Sequence, residues 1–289
     1  MMIAVVGPTA SGKTSLAFKL AKKLDAAIIN FDAYQIYKEL NIGTAKPTKE
    51  ELSEVENYLF SEVSILDEMN IYNYQKACRS LIKSLLEENK NIILVGGSGL
   101  YLRSTIYDYS FQEDEKIDLS KYENLTNEEL FKKLEELDPT SATKIHPNNR
   151  KRVIRALSIA ENSSLNKSNF ENLQSHKLIY DIEIIGLNPE REELYKNIDK
   201  RVDLMFEEGL CEEVEKIYSK YDKNLTSLQA IGYKEFQLGL SKEETKELIK
   251  KNTRHYAKRQ LTFFKHQFDD VKWFKSEQEA LQYIESNLK

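Results

Sequence analysis

A parallel-sheet α/β core interrupted by a mostly helical insertion is the fold class predicted for this 289-residue chain, and three observations predict it. Short apolar runs alternate with helical patterns over the first hundred residues, which is the sequence form of βα units. A glycine-rich motif joins the first run to the first helical pattern. From Phe111 to Asp138 the composition shifts to ten acidic and four basic residues with helical spacing.

Ile3 to Val6 is the first expected strand. After the glycine loop, Leu16, Ala17, Leu20, Ala21 and Leu24 recur at helical spacing. Ala26 to Phe31 reads as a second buried strand with Asp32 at its end, and Gly43 to Pro47 as a loop. A helix is expected from about Asn73 to Glu88, and a third strand from Ile92 to Val95, ending at Gly96-Gly97. The acid-rich segment carries Leu130, Phe131, Leu134 and Leu137 at helical spacing. It continues through the basic stretch His146 to Arg155 and a polar segment near Asn162 to Ser175. Leu178 to Leu187 reads as a returning strand, followed by helical patterns over Glu190 to Tyr221 and Lys242 to Phe268. A strand ending at Trp273-Phe274 and a helix capped by Ser276 with Glu279 close the chain. The expected domains are a core of residues 1–110 and 177–289 and an insertion of residues 111–176.

Composition excludes several classes. A mean hydropathy of −0.56 leaves no run of the roughly 18 apolar residues that a membrane span requires. Met1 to Val6 leads directly into the glycine motif, so no secretory signal is expected and the protein is placed in the cytoplasm. Cys78 and Cys211 stand singly, which argues against a disulfide framework or a cysteine zinc site and for two buried thiols. The formal charge of −5, taken over the whole chain, argues mildly against a nucleic-acid partner.

Gly7-Pro8-Thr9-Ala10-Ser11-Gly12-Lys13-Thr14 matches G-x-x-x-x-G-K-[ST] between a strand and a helix. Glycines let backbone N–H groups converge on phosphate oxygens, the helix N-terminus adds positive potential, Lys13 supplies a cation and Thr14 offers a hydroxyl to Mg²⁺. The core is therefore expected to be P-loop NTPase-like, with a di- or triphosphate ligand. No apolar strand ends in an Asp followed by a hydrolytic Glu, which favours a small kinase or a transferase using a diphosphate.

Asp32 falls where strand carboxyl ends form the ligand crevice, and its position admits either a turn cap or a general base. Arg201 lies inside the apolar stripe of Leu194, Ile198 and Met205, so its guanidinium needs an anion: an internal salt bridge or a bound phosphate. The chain has only nine Arg, six of them at Arg150, Arg152, Arg155, Arg201, Arg254 and Arg259. Residues 144–155 hold five cations and no acid; residues 250–268 hold six and no acid, interleaved with Tyr256, Phe263, Phe264 and Phe268. Such stretches suit a nucleic-acid backbone on an otherwise acidic protein, or else are solvated helix faces.

The phosphate loop, Asp32-Ala33-Tyr34-Gln35-Ile36-Tyr37, Ile42 to Pro47, Val95-Gly96-Gly97-Ser98-Gly99-Leu100-Tyr101, Ile145-His146-Pro147-Asn148, Arg201-Val202 with Met205 and Gly209-Leu210, Ile231 to Lys234 and Lys258-Arg259-Gln260 with Thr262-Phe263-Phe264 together resemble the tRNA dimethylallyltransferase (tRNA isopentenyltransferase) family, in order along nearly the whole chain. The resemblance implies transfer of a dimethylallyl group from dimethylallyl diphosphate to N6 of adenosine 37, in the anticodon stem-loop of tRNAs reading codons that begin with U. It implies Asp32 as base, Thr9, Lys13, Thr14 and Arg201 on the diphosphate and Mg²⁺, and Ser98 at a position important for activity. It implies tRNA contacts at Asp32 to Gln35, Lys151, Arg152 and Arg155, Gln229 to Lys234 with Gly232 and Tyr233, and Lys258, Arg259, Gln260 and Lys265, in a monomeric enzyme. The sequence departs from the family pattern at Ser98, where Thr is usual, and at Ala33, where Ser is usual. An activity-linked Arg expected after the core-to-insertion junction is replaced by no arginine, only Lys116 and Lys121. A P-loop kinase using ATP is the competing expectation, and an RNA-binding module without chemistry a third.

Overall fold

The computed structural model describes residues 1–109, 111, 120–162 and 176–287. Lys116 and most of the expected polar segment 162–175 lie outside the described residues. By compactness the chain divides into two units, Met1–Ile106 with Tyr180–Lys289, and Tyr107–Ile179.

The first unit is built on a six-stranded parallel sheet of order β3-β2-β4-β1-β5-β6, in which β1 is Met2–Val6, β2 Ala26–Asn30, β3 Asn57–Tyr58, β4 Asn91–Val95, β5 Glu183–Leu187 and β6 Val271–Phe274. Every residue of β1 and β2 is buried, as strands covered on both faces must be. Helices α1 Lys13–Leu24, α2 Lys49–Ser53, α3 Ile71–Glu87 and α4 Gly99–Ile106 alternate with the first four strands. Leu16, Ala17 and Leu20 of α1 pack with Ile3, Ile28 and Ile93 into the main core. Because β1 lies between β4 and β5, the chain leaving it stands where the strand order reverses, which is the ligand crevice of such sheets.

The sequence pattern and the structure part at a few places. β3 was not expected; at two residues it is too short for a hydrophobic period to mark it. The returning strand begins at Glu183, and Leu178 instead makes an isolated antiparallel bridge to Tyr107. The pattern over Glu190 to Tyr221 is two helices, α8 Arg191–Glu207 and α9 Leu210–Tyr218, broken where Gly209 adopts φ 99°. Cys78 is buried as expected, but Cys211 is only half-buried. Helix α10 spans Lys242–Gln267, and α11, Glu277–Asn287, is preceded by the expected cap, the Glu279 N–H donating to Ser276 Oγ at 3.2 Å.

The second unit holds α5 Asn127–Leu137, α6 Pro139–Lys144 and α7 Arg150–Asn162 around Leu130, Leu134, Val153 and Leu157. Arg150 is part of that scaffold: its guanidinium donates to the carbonyls of Tyr122, Glu123 and Leu125. Lys121 pairs with Glu161.

Leu20 is fully buried in the main core, so Leu20→Ala is expected to destabilise the protein by about 2–5 kcal/mol. Urea unfolding followed through Trp273, the only tryptophan, measures the loss.

Candidate active site

The phosphate loop turns sharply into α1. Ala10 (φ 63°) and Gly12 (φ 91°) take the left-handed conformation, and Gly12 occupies the N-cap position without any side-chain cap. The first turn of α1 therefore offers its N–H groups to a ligand instead of to a capping residue. Lys13 is buried and its Nζ donates to the Pro8 carbonyl at 3.2 Å. Burial, and then the nearby Arg201 charge, lower the Lys13 ammonium to about 8, while Asp32 opposes the shift. The Ser11 hydroxyl oxygen is buried and has no hydrogen-bond partner among the described residues.

Arg201 projects from α8 toward this loop, where its Nη1 donates to Thr9 Oγ1 at 3.3 Å. Burial lowers its pKa, with Asp32 acting in the opposite direction. Among the described residues neither Arg201 nor Lys13 has a carboxylate within ion-pair distance, so the internal salt bridge does not form. Two inward cations line one pocket, where Asp32 lies near both but, among the described residues, within ion-pair distance of neither. That arrangement suits a polyanionic ligand.

Asp32 turns out to be both of the things its position allowed. Its Oδ1 caps the following turn, accepting the N–H groups of Tyr34 at 3.0 Å and Gln35 at 3.4 Å. Its Oδ2 accepts no hydrogen bond from the described residues and faces Gly97, where a Cβ would stand 3.4 Å away. The turn is fixed further by Ser98, whose Oγ accepts the Ala33 N–H at 3.0 Å. The glycines after β4 have a steric cause: a Cβ on Gly96 would lie 2.5 Å from the Phe31 carbonyl carbon, and one on Gly97 2.3 Å from Gln260 Nε2.

A cavity of about 210 Å³ opens beside these groups, with Thr9, Asp32 and Arg201 at one end and Val202, Met205 and Ile249 in its wall. Tyr34 and Tyr256 also line it. Burial, reinforced by the Asp32 charge, raises both phenols. A smaller pocket joins Lys13 and Thr14 to Thr9, Asp32 and Arg201. A roomier cavity of about 500 Å³, near Trp273 and Lys258, holds none of the acid–base or phosphate-loop groups and is not the reaction site.

The Gly43-Thr44-Ala45 loop over the cavity is held by a residue the sequence reading missed. Glu213 of α9 accepts the N–H groups of Ile42 at 3.0 Å and Gly43 at 3.3 Å and the Tyr233 hydroxyl at 2.6 Å. Gln35 Nε2 donates to the carbonyls of Thr44 and Ala45. Glu213 follows the quoted Gly209-Leu210 by a helical turn, and that proximity was the only available signal.

The residues expected to face RNA divide into two sets. Lys151, Arg152 and Arg155 are exposed on α7, and Lys234, Lys258, Arg259 and Lys265 are exposed in the first unit. Gly232, Tyr233 and Gln260, by contrast, are all three buried. The Gly232 N–H donates to Glu235 Oε2, the Tyr233 ring packs on Gly43, and the Gln260 amide is bonded on both sides within the protein. The acid-free stretch 250–268 is also less free than its sequence suggests, because Asp203 and Asp199 of α8 neutralise Lys250 and Arg254. Phe264 and Phe268 belong to the core.

No cluster of three or more His, Cys, Asp or Glu residues able to hold a metal is found among the described residues. The Thr14 hydroxyl lines the small pocket with Asp32. That donor set fits a Mg²⁺ ion carried mainly by phosphate oxygens and water, not an all-protein cage.

A family model described as IPP transferase matches residues 35–267. The tRNA dimethylallyltransferase of Bacillus anthracis is 42% identical over 299 residues, covering 98% of this chain and 95% of that protein. That of Anoxybacillus flavithermus is 42% identical over 279 residues, covering 94% and 89%. The crystal structure of a tRNA delta(2)-isopentenylpyrophosphate transferase from Staphylococcus epidermidis aligns with TM-score 0.73 at 38% identity, covering 99% of this chain and 98% of that one. A structure of a eukaryotic dimethylallyltransferase acting on tRNA aligns with TM-score 0.85 at 28% identity, covering 99% and 76%.

The lowered Lys13 pKa has a signed consequence. Between about 8 and the ordinary lysine value of 10.5 the unfolded chain binds the proton and the ligand-free folded chain does not, so stability rises with pH across that window. Lys46, also lowered to about 8 by burial, contributes in the same direction. Lys13→Met is expected to flatten part of this rise in denaturant unfolding measured from pH 7.5 to 10.5.

Proposed function

This chain belongs to the IPP transferase family, and from that premise we propose that it transfers a dimethylallyl group from dimethylallyl diphosphate to N6 of adenosine 37 in tRNAs reading codons that begin with U. The observation that carries the reading is the convergence of Lys13 and Arg201, unpaired with any carboxylate among the described residues, on a cavity that also holds the free oxygen of Asp32.

The diphosphate lies on the phosphate loop, its oxygens taken by the loop N–H groups, Lys13, Thr9 and Arg201. The apolar wall of Val202, Met205 and Ile249 receives the dimethylallyl chain. N6 of the adenine attacks C1 of the allyl group, the C1–O bond breaks, and its electron pair leaves with the diphosphate. Asp32 Oδ2 takes the N6 proton, while Oδ1 stays bonded to the Tyr34 and Gln35 amides and keeps the carboxylate in place. An exocyclic amine is a weak nucleophile, so the larger contribution comes from cations already placed where charge grows on the leaving group. The Thr14 hydroxyl would hold a Mg²⁺ ion, which when bound would add to the neutralisation of that charge. The phenol-lined cavity keeps water from an allylic carbon that carries positive charge as the bond loosens. The adenosine leaves its stack to enter, and the exposed Lys258, Arg259 and Lys234, with Lys151, Arg152 and Arg155 on α7, grip the anticodon stem-loop. We place this reaction in the cytoplasm, carried out by a monomer.

Asp32→Asn is expected to lower kcat for transfer of labelled dimethylallyl to tRNA by about 10²–10⁴-fold, while tRNA affinity stays within threefold of wild type. Equal turnover by the variant would remove Asp32 as the base. Joint Lys258→Ala and Arg259→Ala replacement is expected to weaken binding of an anticodon stem-loop and to reduce the slope of log K against log salt by about 2, one for each lost phosphate contact.

A further inference from the structure

We propose that Gln260 is a positioning residue for the transfer: its buried carboxamide brackets the phosphate loop to the glycine turn after β4, and so holds Thr9 and Asp32 in one geometry. The proposal rests on the reading above for the reaction, whereas the bracket is a feature of the site itself. Gln260 is 5% exposed on α10. Its Oε1 accepts the Thr9 N–H at 2.8 Å, and its Nε2 donates to the Gly97 carbonyl at 2.9 Å. One amide thus ties residues 251 and 163 positions away in sequence.

Each end leads to a working group. Thr9 is the residue whose hydroxyl takes the Arg201 guanidinium, so fixing its N–H fixes the partner of the diphosphate clamp. Gly97 lies against both the Gln260 amide and the free Oδ2 of Asp32, which places the bracket and the base at the same glycine. The chemistry requires an amide. A carboxylate at this position could accept from Thr9 but could not donate to Gly97 and would add negative charge beside Asp32. The absence of a side chain at Gly97 has the same origin, since a Cβ there would displace the Gln260 amide nitrogen. Lys258 and Arg259, the preceding residues of α10, point outward and remain the RNA-facing cations, while Gln260 points in. Helix α10 therefore carries the acceptor grip on one face and the donor bracket on the other.

The test uses Gln260→Met, which keeps the volume and loses both bonds, together with Gln260→Ala, Gly97→Ala and the double variant G97A/Q260A. Two readouts are taken: steady-state prenylation of tRNA and calorimetric binding of inorganic pyrophosphate with Mg²⁺. Q260M is expected to lower kcat by about 10–10²-fold and to weaken pyrophosphate severalfold, with the KM for tRNA within threefold of wild type. Gly97→Ala is expected to reproduce the loss in the wild-type background, but to cost less than threefold more once residue 260 is Ala, because the clash partner is gone. The proposal is overturned if Q260M weakens tRNA while leaving kcat and pyrophosphate binding intact, if Gly97→Ala is harmless, or if it costs the same in both backgrounds. Should the wild-type protein prenylate no tRNA, the reading of the reaction fails, and pyrophosphate binding by the same four variants still decides on the bracket.

Discussion

Two cations, Lys13 and Arg201, are turned inward at one site with no carboxylate paired to either among the described residues, and much of the surrounding structure exists to make that arrangement possible. Burying a charge without a partner is costly, so the site is held in place by the rest of the fold. The main sheet supplies the loop at its switch point, α8 supplies Arg201 from within an apolar stripe, and the lowered Lys13 pKa records the cost in the ligand-free state. In the proposed reaction the diphosphate offsets that cost.

The acid–base side is organised by backbone geometry more than by charge. Asn30, Ser98 and the amides of Tyr34 and Gln35 fix the Asp32 turn, and the close approach of the chain after β2 leaves no room for a side chain at Gly96, as the Gln260 amide leaves none at Gly97. Across the cavity, Glu213 and Tyr233 hold the Gly43 loop. Buried groups of this kind bear on function by positioning what touches the ligand.

The core strands, the phosphate loop and the inward Arg201 were legible in the sequence because each rests on a short-range pattern: an apolar run, an eight-residue motif, a helical stripe. What escaped was set at long range. Tyr233 and Gln260 lie in segments that resemble RNA-contacting ones, yet their side chains are consumed by partners far away in sequence, Glu213 and the Thr9–Gly97 pair. The acid-free run 250–268 likewise lost two of its cations to Asp199 and Asp203, acids on a different helix. Counting charge along a segment cannot register neighbours that only folding supplies.

Reading two inward cations with no paired carboxylate as a phosphate site makes a direct thermodynamic claim. Thermal unfolding of wild type, Lys13→Met and Arg201→Met, each with and without Mg²⁺ and inorganic pyrophosphate, tests it. At a pyrophosphate concentration near 100 times its Kd, wild type should gain about 2.7 kcal/mol. Both variants should lose most of that gain while their ligand-free forms are at least as stable as wild type. Equal stabilisation of the variants, or ligand-free variants markedly less stable than wild type, would make these cations structural and contradict the account.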